Sequence, residues 1–204
     1  MVSELWSQQK FDIERLKSHF REFVLPLEPV YQSPAFGGWS VLSSNGSYKD
    51  GWHRGHRLFN EDEKKTEQVK DAFIKAGIKR SQEYVVPTEI CHGYLQEVMS
   101  QLSSHGLNPC RVRIIQLAAG MSSIWHRDYA DHEYGVRLHI PIITNSGCFF
   151  ETETEREHLV ADGSAYFIAV NRVHRVINEG STHRYHIVGD VKDTQGITKY
   201  HRYA

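Results

Sequence analysis

From Cys110 to about residue 190 the chain breaks into short runs rich in β-branched and aromatic residues. They are "RVRIIQLAA", "GVRLHIPIIT", "CFFETET", "EHLVA", "SAYFIAV", "HRVIN" and "HRYHIVGDV", separated by Gly, Asn and Asp. Seven strands at such intervals predict a mainly β fold, a sandwich or barrel, with any helices packed on its outside. The helices are expected upstream. Ile13, Leu16, Phe20, Phe23 and Val24 recur at helical spacing and predict a helix over roughly residues 3–24, closed by Pro26. Residues 61–77 read as a second helix and 88–105 as a third, starting at Thr88 and stopping at Gly106, while Trp39–Leu42 is the expected upstream strand.

With 204 residues and no repeat or linker, one domain is expected over 1–204, with helices and outer strands in 1–109 and the β core in 110–190. A net charge of -1 argues against a nucleic-acid footprint or a polybasic membrane patch. No run approaches the length of a membrane span and no signal peptide is evident, so the expectation is a cytoplasmic protein acting on a small molecule. Cys91, Cys110 and Cys148 are odd in number and widely spaced, and read as reduced thiols. There are 13 histidines, so a histidine is informative only where its spacing is explained.

His126 and Asp128 meet that condition. Alternate residues of an extended chain share a face, so an imidazole nitrogen and a carboxylate oxygen project together. These are two of the three ligands of the facial triad that suits Fe(II) and leaves positions open for a co-substrate and oxygen. His174 is the candidate third ligand. If Asn178-Glu179-Gly180 is a hairpin turn, His174 and Arg184 lie opposite each other, about 5 Å apart at Cβ. Arg184 would then reach beyond the metal to the far carboxylate of a small diacid, for which a guanidinium fork is the matching group. Arg137 and His139 share a face on the next strand and are expected to bind the other end of the diacid or to orient the ligands. Gln116 is expected to reach in from the strand leading to the site.

"LAAGMSSIWHRD…GVRLHIPIIT…LVADGSAYFIAVNRVHRVINEGSTHRYHIVGDV" resembles the aspartyl/asparaginyl β-hydroxylase family of Fe(II)- and 2-oxoglutarate-dependent oxygenases. The resemblance covers residues 110–190 and extends faintly upstream. It implies a double-stranded β-helix of the cupin (jelly-roll) type, with His126, Asp128 and His174 holding Fe(II). It also implies that Arg184 pairs with the distal carboxylate of 2-oxoglutarate, and that Arg137 and His139 contact the co-substrate near its metal-bound end. Asp128 argues for a hydroxylase over a halogenase. The chain looks like the short bacterial members, such as free-proline hydroxylases, which act on a free or carrier-bound amino acid and release succinate and CO2.

His56 and Arg57, in the aromatic and basic stretch Tyr48–Phe59, are expected to meet the substrate, as are Tyr129 and Tyr134 beside the ligand turn. Three alternatives stand beside this reading. One is hydroxylation of an Asp, Asn or other side chain in a peptide or protein, and another is desaturation. The third is a non-catalytic cupin that holds a metal without turnover.

Overall fold

The computed structural model describes residues 3–52, 71–72, 75, 79, 81–128, 136–170 and 172–191. The chain enters as an edge strand, β1 (Ser3–Leu5). The helix α1 begins only at Ile13 and runs to His19, continuing as a π-helical turn over Phe20–Val24. The expected helix over 3–24 is thereby corrected at its start. Ser3 donates its backbone N–H and its hydroxyl to the Glu157 carboxylate at 3.0 and 2.6 Å, and Asp12 caps the helix by accepting the Glu14 and Arg15 N–H groups. The chain ahead of that cap is committed to the sheet.

Short strands follow at β2 (Val30–Tyr31), β3 (Phe36–Ser40), β4 (Leu42–Ser43) and β5 (Val86–Pro87). The helix expected over 61–77 falls outside the described residues except at Asp71, Ala72 and Lys75, which are helical. After a 3-10 turn at Ser81–Glu83, the helix α2 spans Gly93–Ser104 and not 88–105. Thr88 is not its cap, because its hydroxyl donates to the Ser40 carbonyl at 2.7 Å and ties the segment to the sheet. The helix does stop at Gly106, whose φ of 78° lets Gly106 N–H and Leu107 N–H close back on the Ser103 and Leu102 carbonyls.

All seven downstream runs contribute strands: β6 (Cys110–Leu117), β7 (Val136–Ile143), β8 (Cys148–Thr152), β9 (Arg156–Glu157), β10 (Tyr166–Ala169), β11 (His174–Asn178) and β12 (Arg184–Val191). They form two main sheets, a seven-stranded one in the order β1-β10-β7-β12-β6-β3-β2 and a three-stranded one in the order β11-β8-β9. One face of the larger sheet carries Trp39, Ile114, Leu138, Ile140, Phe167 and Ile187. These pack with Leu16, Phe20, Leu95, Val98 and Leu102 of the helices into the main core. A smaller cluster of Leu117, Phe150, Ile168, Val170 and Val176 joins the two sheets face to face. This is a double-stranded β-helix with helices outside, and the polar site lies between its sheets.

The expected hairpin between His174 and Arg184 is not formed. His174 pairs with Thr152 of β8, whereas Arg184 pairs with Leu117 of β6, so the chain changes sheets at Asn178-Glu179-Gly180. Asn178 makes this corner. Fully buried, it donates to the Leu117, Ala118 and Thr182 carbonyls at 3.2, 3.2 and 2.8 Å and accepts the Gly180 N–H at 3.1 Å. Asn178→Ala should orphan several buried groups and destabilise the protein by about 2–4 kcal/mol. A urea melt of the two proteins measures the difference, and an effect under about 0.5 kcal/mol would show that water replaces the amide.

Candidate active site

His126 and His174 face each other across a two-residue bridge in which each backbone N–H donates to the other's carbonyl at 2.9 Å. The Asp128 N–H is held by the Val170 carbonyl at 2.9 Å. These bonds connect the segment around His126 to β11 and fix the three backbones that carry the polar groups. Each imidazole is oriented through its Nδ1–H. His126 donates to the Ile124 carbonyl at 2.7 Å and His174 to the Arg172 carbonyl at 2.8 Å. That leaves both Nε2 lone pairs free for a metal. Both turn toward Asp128, with His126 Nε2 at 3.8 Å from Oδ1 and His174 Nε2 at 3.7 Å from Oδ2. The three ligand atoms lie within 4.8 Å of one another. Phe150 stacks on His174 with ring centroids 4.8 Å apart, and burial pushes the His174 imidazole down to about 4, so it stands neutral as a ligand must.

Arg137 binds the Asp128 carboxylate. Its Nη1 donates to Asp128 Oδ2 at 2.5 Å and its Nε to Asp190 Oδ1 at 3.1 Å. Burial alone would weaken its hold on the proton, but the two carboxylates outweigh that and raise its pKa. Of the two roles expected for Arg137, orienting a ligand is the one this geometry carries. Arg184 differs. It is buried, no carboxylate among the described residues pairs with it, and its Nε lacks an acceptor. Burial lowers it to about 10, so it remains charged near neutrality.

His139 points from β7 into the same space with its Nδ1 unpartnered among the described residues, and its ring meets those of Phe150 and His186 edge-on. Gln116 does not reach in. It pairs with Tyr185 and Gly37 on the helix-side face of the sheet, because one step along a strand reverses the side chain. His56, Arg57, Tyr129 and Tyr134 lie outside the described residues.

Two inward residues escaped the sequence reading. His186, on the face of Arg184, is 2% exposed, and neither ring nitrogen has a partner among the described residues. Arg113, whose β6 position opposes Val188, is 5% exposed, and its Nε also lacks a partner among the described residues. The signal for His186 was available, since the period of two that selects Arg184 also selects residues 186, 188 and 190.

Burial first, and then Arg184 with its neighbours, pushes His139 and His186 far below the ordinary histidine range. Histidines held neutral in the fold make the unfolded chain the better proton acceptor. Their contribution is therefore complete above about pH 6.5 and declines as the pH falls below it. The metal-free protein should lose on the order of 1 kcal/mol per buried histidine per pH unit in that window. Urea melts near neutrality and one unit below the histidine pKa test this, and His186→Leu should flatten the slope. An unchanged slope would mean that His186 is protonated in the fold.

Two imidazoles and one carboxylate converging between the sheets of a β-helix are the donor set of a two-histidine, one-carboxylate metal site. The sequence matches the profile of the aspartyl/asparaginyl beta-hydroxylase family over residues 47–194. The chain belongs to that family, and it is an enzyme of the hydroxylase class. No curated protein matches it.

Solved structures with a similar trace include an oxidoreductase of the 2OG-Fe(II) oxygenase family from Burkholderia pseudomallei. It is 10% identical with a TM-score of 0.47, covering 94% of this chain and 84% of that one. A prolyl hydroxylase from Trichoplax adhaerens, in complex with a peptide fragment of hypoxia inducible factor, is 14% identical with a TM-score of 0.38. It covers 90% of this chain and 80% of that one. A cupin domain from Bordetella pertussis is 21% identical with a TM-score of 0.33, covering 40% of this chain and 80% of that one. Among the described residues, no helix is long and apolar enough to cross a membrane.

Proposed function

We propose that the protein is an Fe(II)- and 2-oxoglutarate-dependent hydroxylase acting on an unactivated C–H of a small amino acid, free or carrier-bound. The balanced reaction is R–H + 2-oxoglutarate + O2 → R–OH + succinate + CO2. The observation that carries it is the pairing of a two-histidine, one-carboxylate cluster with a buried arginine that has no counter-ion among the described residues. His126, Asp128 and His174 would hold the iron, whose chemistry when bound with the co-substrate is to activate oxygen.

The chain's own residues do the rest. The Ile124 and Arg172 carbonyls fix the imidazole tautomers, and Arg137 holds the carboxylate ligand in place. Arg184 supplies a forked cation for the distal carboxylate, and His139 offers a neutral Nδ1 near the metal-bound end. The apolar cluster between the sheets keeps bulk water from the reacting centre.

Anaerobic titration with Fe(II) and then 2-oxoglutarate should develop the visible charge-transfer band of a metal-chelated 2-oxoacid. Iron bound without that band would support the non-catalytic metal-binding reading instead. The family name favours one further reading, hydroxylation of an Asp or Asn side chain in a peptide. Mass analysis of peptidyl and free substrates after turnover, scored for one added oxygen, separates the two.

A further inference from the structure

The inner face of the larger sheet carries two cationic poles. At one end of β12 stands Arg184. At the other, Arg113 opposes Val188, which in turn opposes His139 of β7. Four residues separate positions 184 and 188, so the poles lie roughly 13 Å apart along the strand. Arg137, opposite Asp190 two residues beyond Val188, holds both the Asp128 and Asp190 carboxylates.

Arg137 is the inner-face arginine that pairs with Asp128 and Asp190, and among the described residues Arg113 and Arg184 have no ion pair.

Among the described residues, Arg111 and Arg137 of this face have acceptors. Arg111 donates to the Gly51 carbonyl at 3.2 Å, and Arg137 holds both carboxylates. Arg184 is reserved for the co-substrate under the reading above. Arg113 remains. Its guanidinium carbon lies 5.3 Å from the centroid of the Trp52 ring, and among the described residues its Nε meets no acceptor. The Trp52 indole Nε1–H, also buried, is unpartnered as well. Trp52 is seated where β3 has no side chain, since a Cβ on Gly38 would come 2.9 Å from the Trp52 ring. Buried donors left without partners are costly, and a cation among them more so, unless a ligand completes them.

We infer that Arg113, with the Trp52 indole N–H beside it, binds the carboxylate of the substrate, and that the substrate is a small acid with a free carboxylate such as a free amino acid. The inference rests on the oxygenase reading and extends it to substrate class. Bound this way, the acid and the co-substrate would each be held by its own arginine of the inner face.

The test uses the full chain loaded anaerobically with Fe(II) and 2-oxoglutarate, so that the charge-transfer band reports the co-substrate site independently. After admitting air, succinate is measured with the twenty common free amino acids and with their α-carboxamides. At least one free acid should raise succinate formation about tenfold or more while its carboxamide fails, as expected when a charge-assisted pair is lost. Arg113→Gln should raise the KM for that acid by about 100-fold, leave the band and the 2-oxoglutarate requirement unchanged, and not lower the Tm of the ligand-free protein. A purely structural arginine would lower it. Arg113→Lys should recover part of the loss.

If Arg113→Gln does not fold, Trp52→Phe keeps the ring and removes only the N–H, and should raise the same KM about fivefold to tenfold. The inference falls if carboxamides and free acids serve equally, if no free acid stimulates turnover while the band is present, or if both variants leave KM untouched. Absence of the band in the parent overturns the oxygenase reading itself.

Discussion

Replacing Asp128 with alanine should abolish turnover and lower Fe(II) affinity by more than about 100-fold, beyond the roughly 10- to 100-fold cost of losing an outer partner of a ligand. The size of the effect follows from the two tasks of this carboxylate. It faces both His126 and His174 through their Nε2 atoms, and it is the acceptor for Arg137 Nη1. The alanine variant loses a metal ligand and leaves Arg137 with Asp190 alone. A half-broken buried ion pair costs about 3–5 kcal/mol, so the metal-free variant should also melt earlier.

Asp128→Asn separates the tasks. It keeps an oxygen for Arg137 but loses the charge, so it should retain most of the stability while remaining poor in iron. Combining Asp128→Ala with Arg137→Met should restore part of the lost melting temperature without restoring activity. Anaerobic Fe(II) titration, thermal melts and succinate assays read the three quantities. If the alanine variant still binds iron as the parent does, Asp128 is a partner for Arg137 and not a ligand.

The triad was legible in the sequence because its logic is local. Alternation in an extended segment places residues 126 and 128 together, whatever the rest of the chain does. The strand runs after Cys110 were legible for the same reason, since each carries its own period and punctuation. The corner at Asn178 was not. A Asn-Glu-Gly stretch is compatible with a hairpin or a change of sheet, and the choice is made by Asn178 donating to the Leu117 and Ala118 carbonyls about sixty residues earlier in the chain. The inference from His174 to Arg184 thus rested on a wrong pairing, although both residues do turn inward from separate sheets.

Gln116 was misplaced by ignoring the period on β6, where residues 113, 115 and 117 share the inner face. Ser3–Leu5 is too short to show any period, so the helix signal beginning at Ile13 absorbed it. His186 and Arg113 become informative only once burial removes water as their partner, and burial is a tertiary fact.

Arg184→Met should weaken 2-oxoglutarate binding by roughly 30- to 4,000-fold, corresponding to about 2–5 kcal/mol for truncating one side of a buried, hydrogen-bonded charge pair. Metal binding should be nearly unaffected, because no ligand of the triad bonds to Arg184: His126 and His174 are oriented by carbonyls and Asp128 by Arg137. Stability points the other way from affinity. In the ligand-free protein Arg184 is a buried cation with no counter-ion among the described residues, and an unbranched apolar side chain of similar length removes that desolvation cost. The variant should therefore melt no lower than the parent without co-substrate, and lower than the parent once 2-oxoglutarate is added to both. This crossing of the two melting curves is the signature of a residue kept for a ligand at the expense of the fold. If Arg184→Met instead melts lower in both conditions, the guanidinium has a partner within the protein and the site of the distal carboxylate must be sought elsewhere on the inner face.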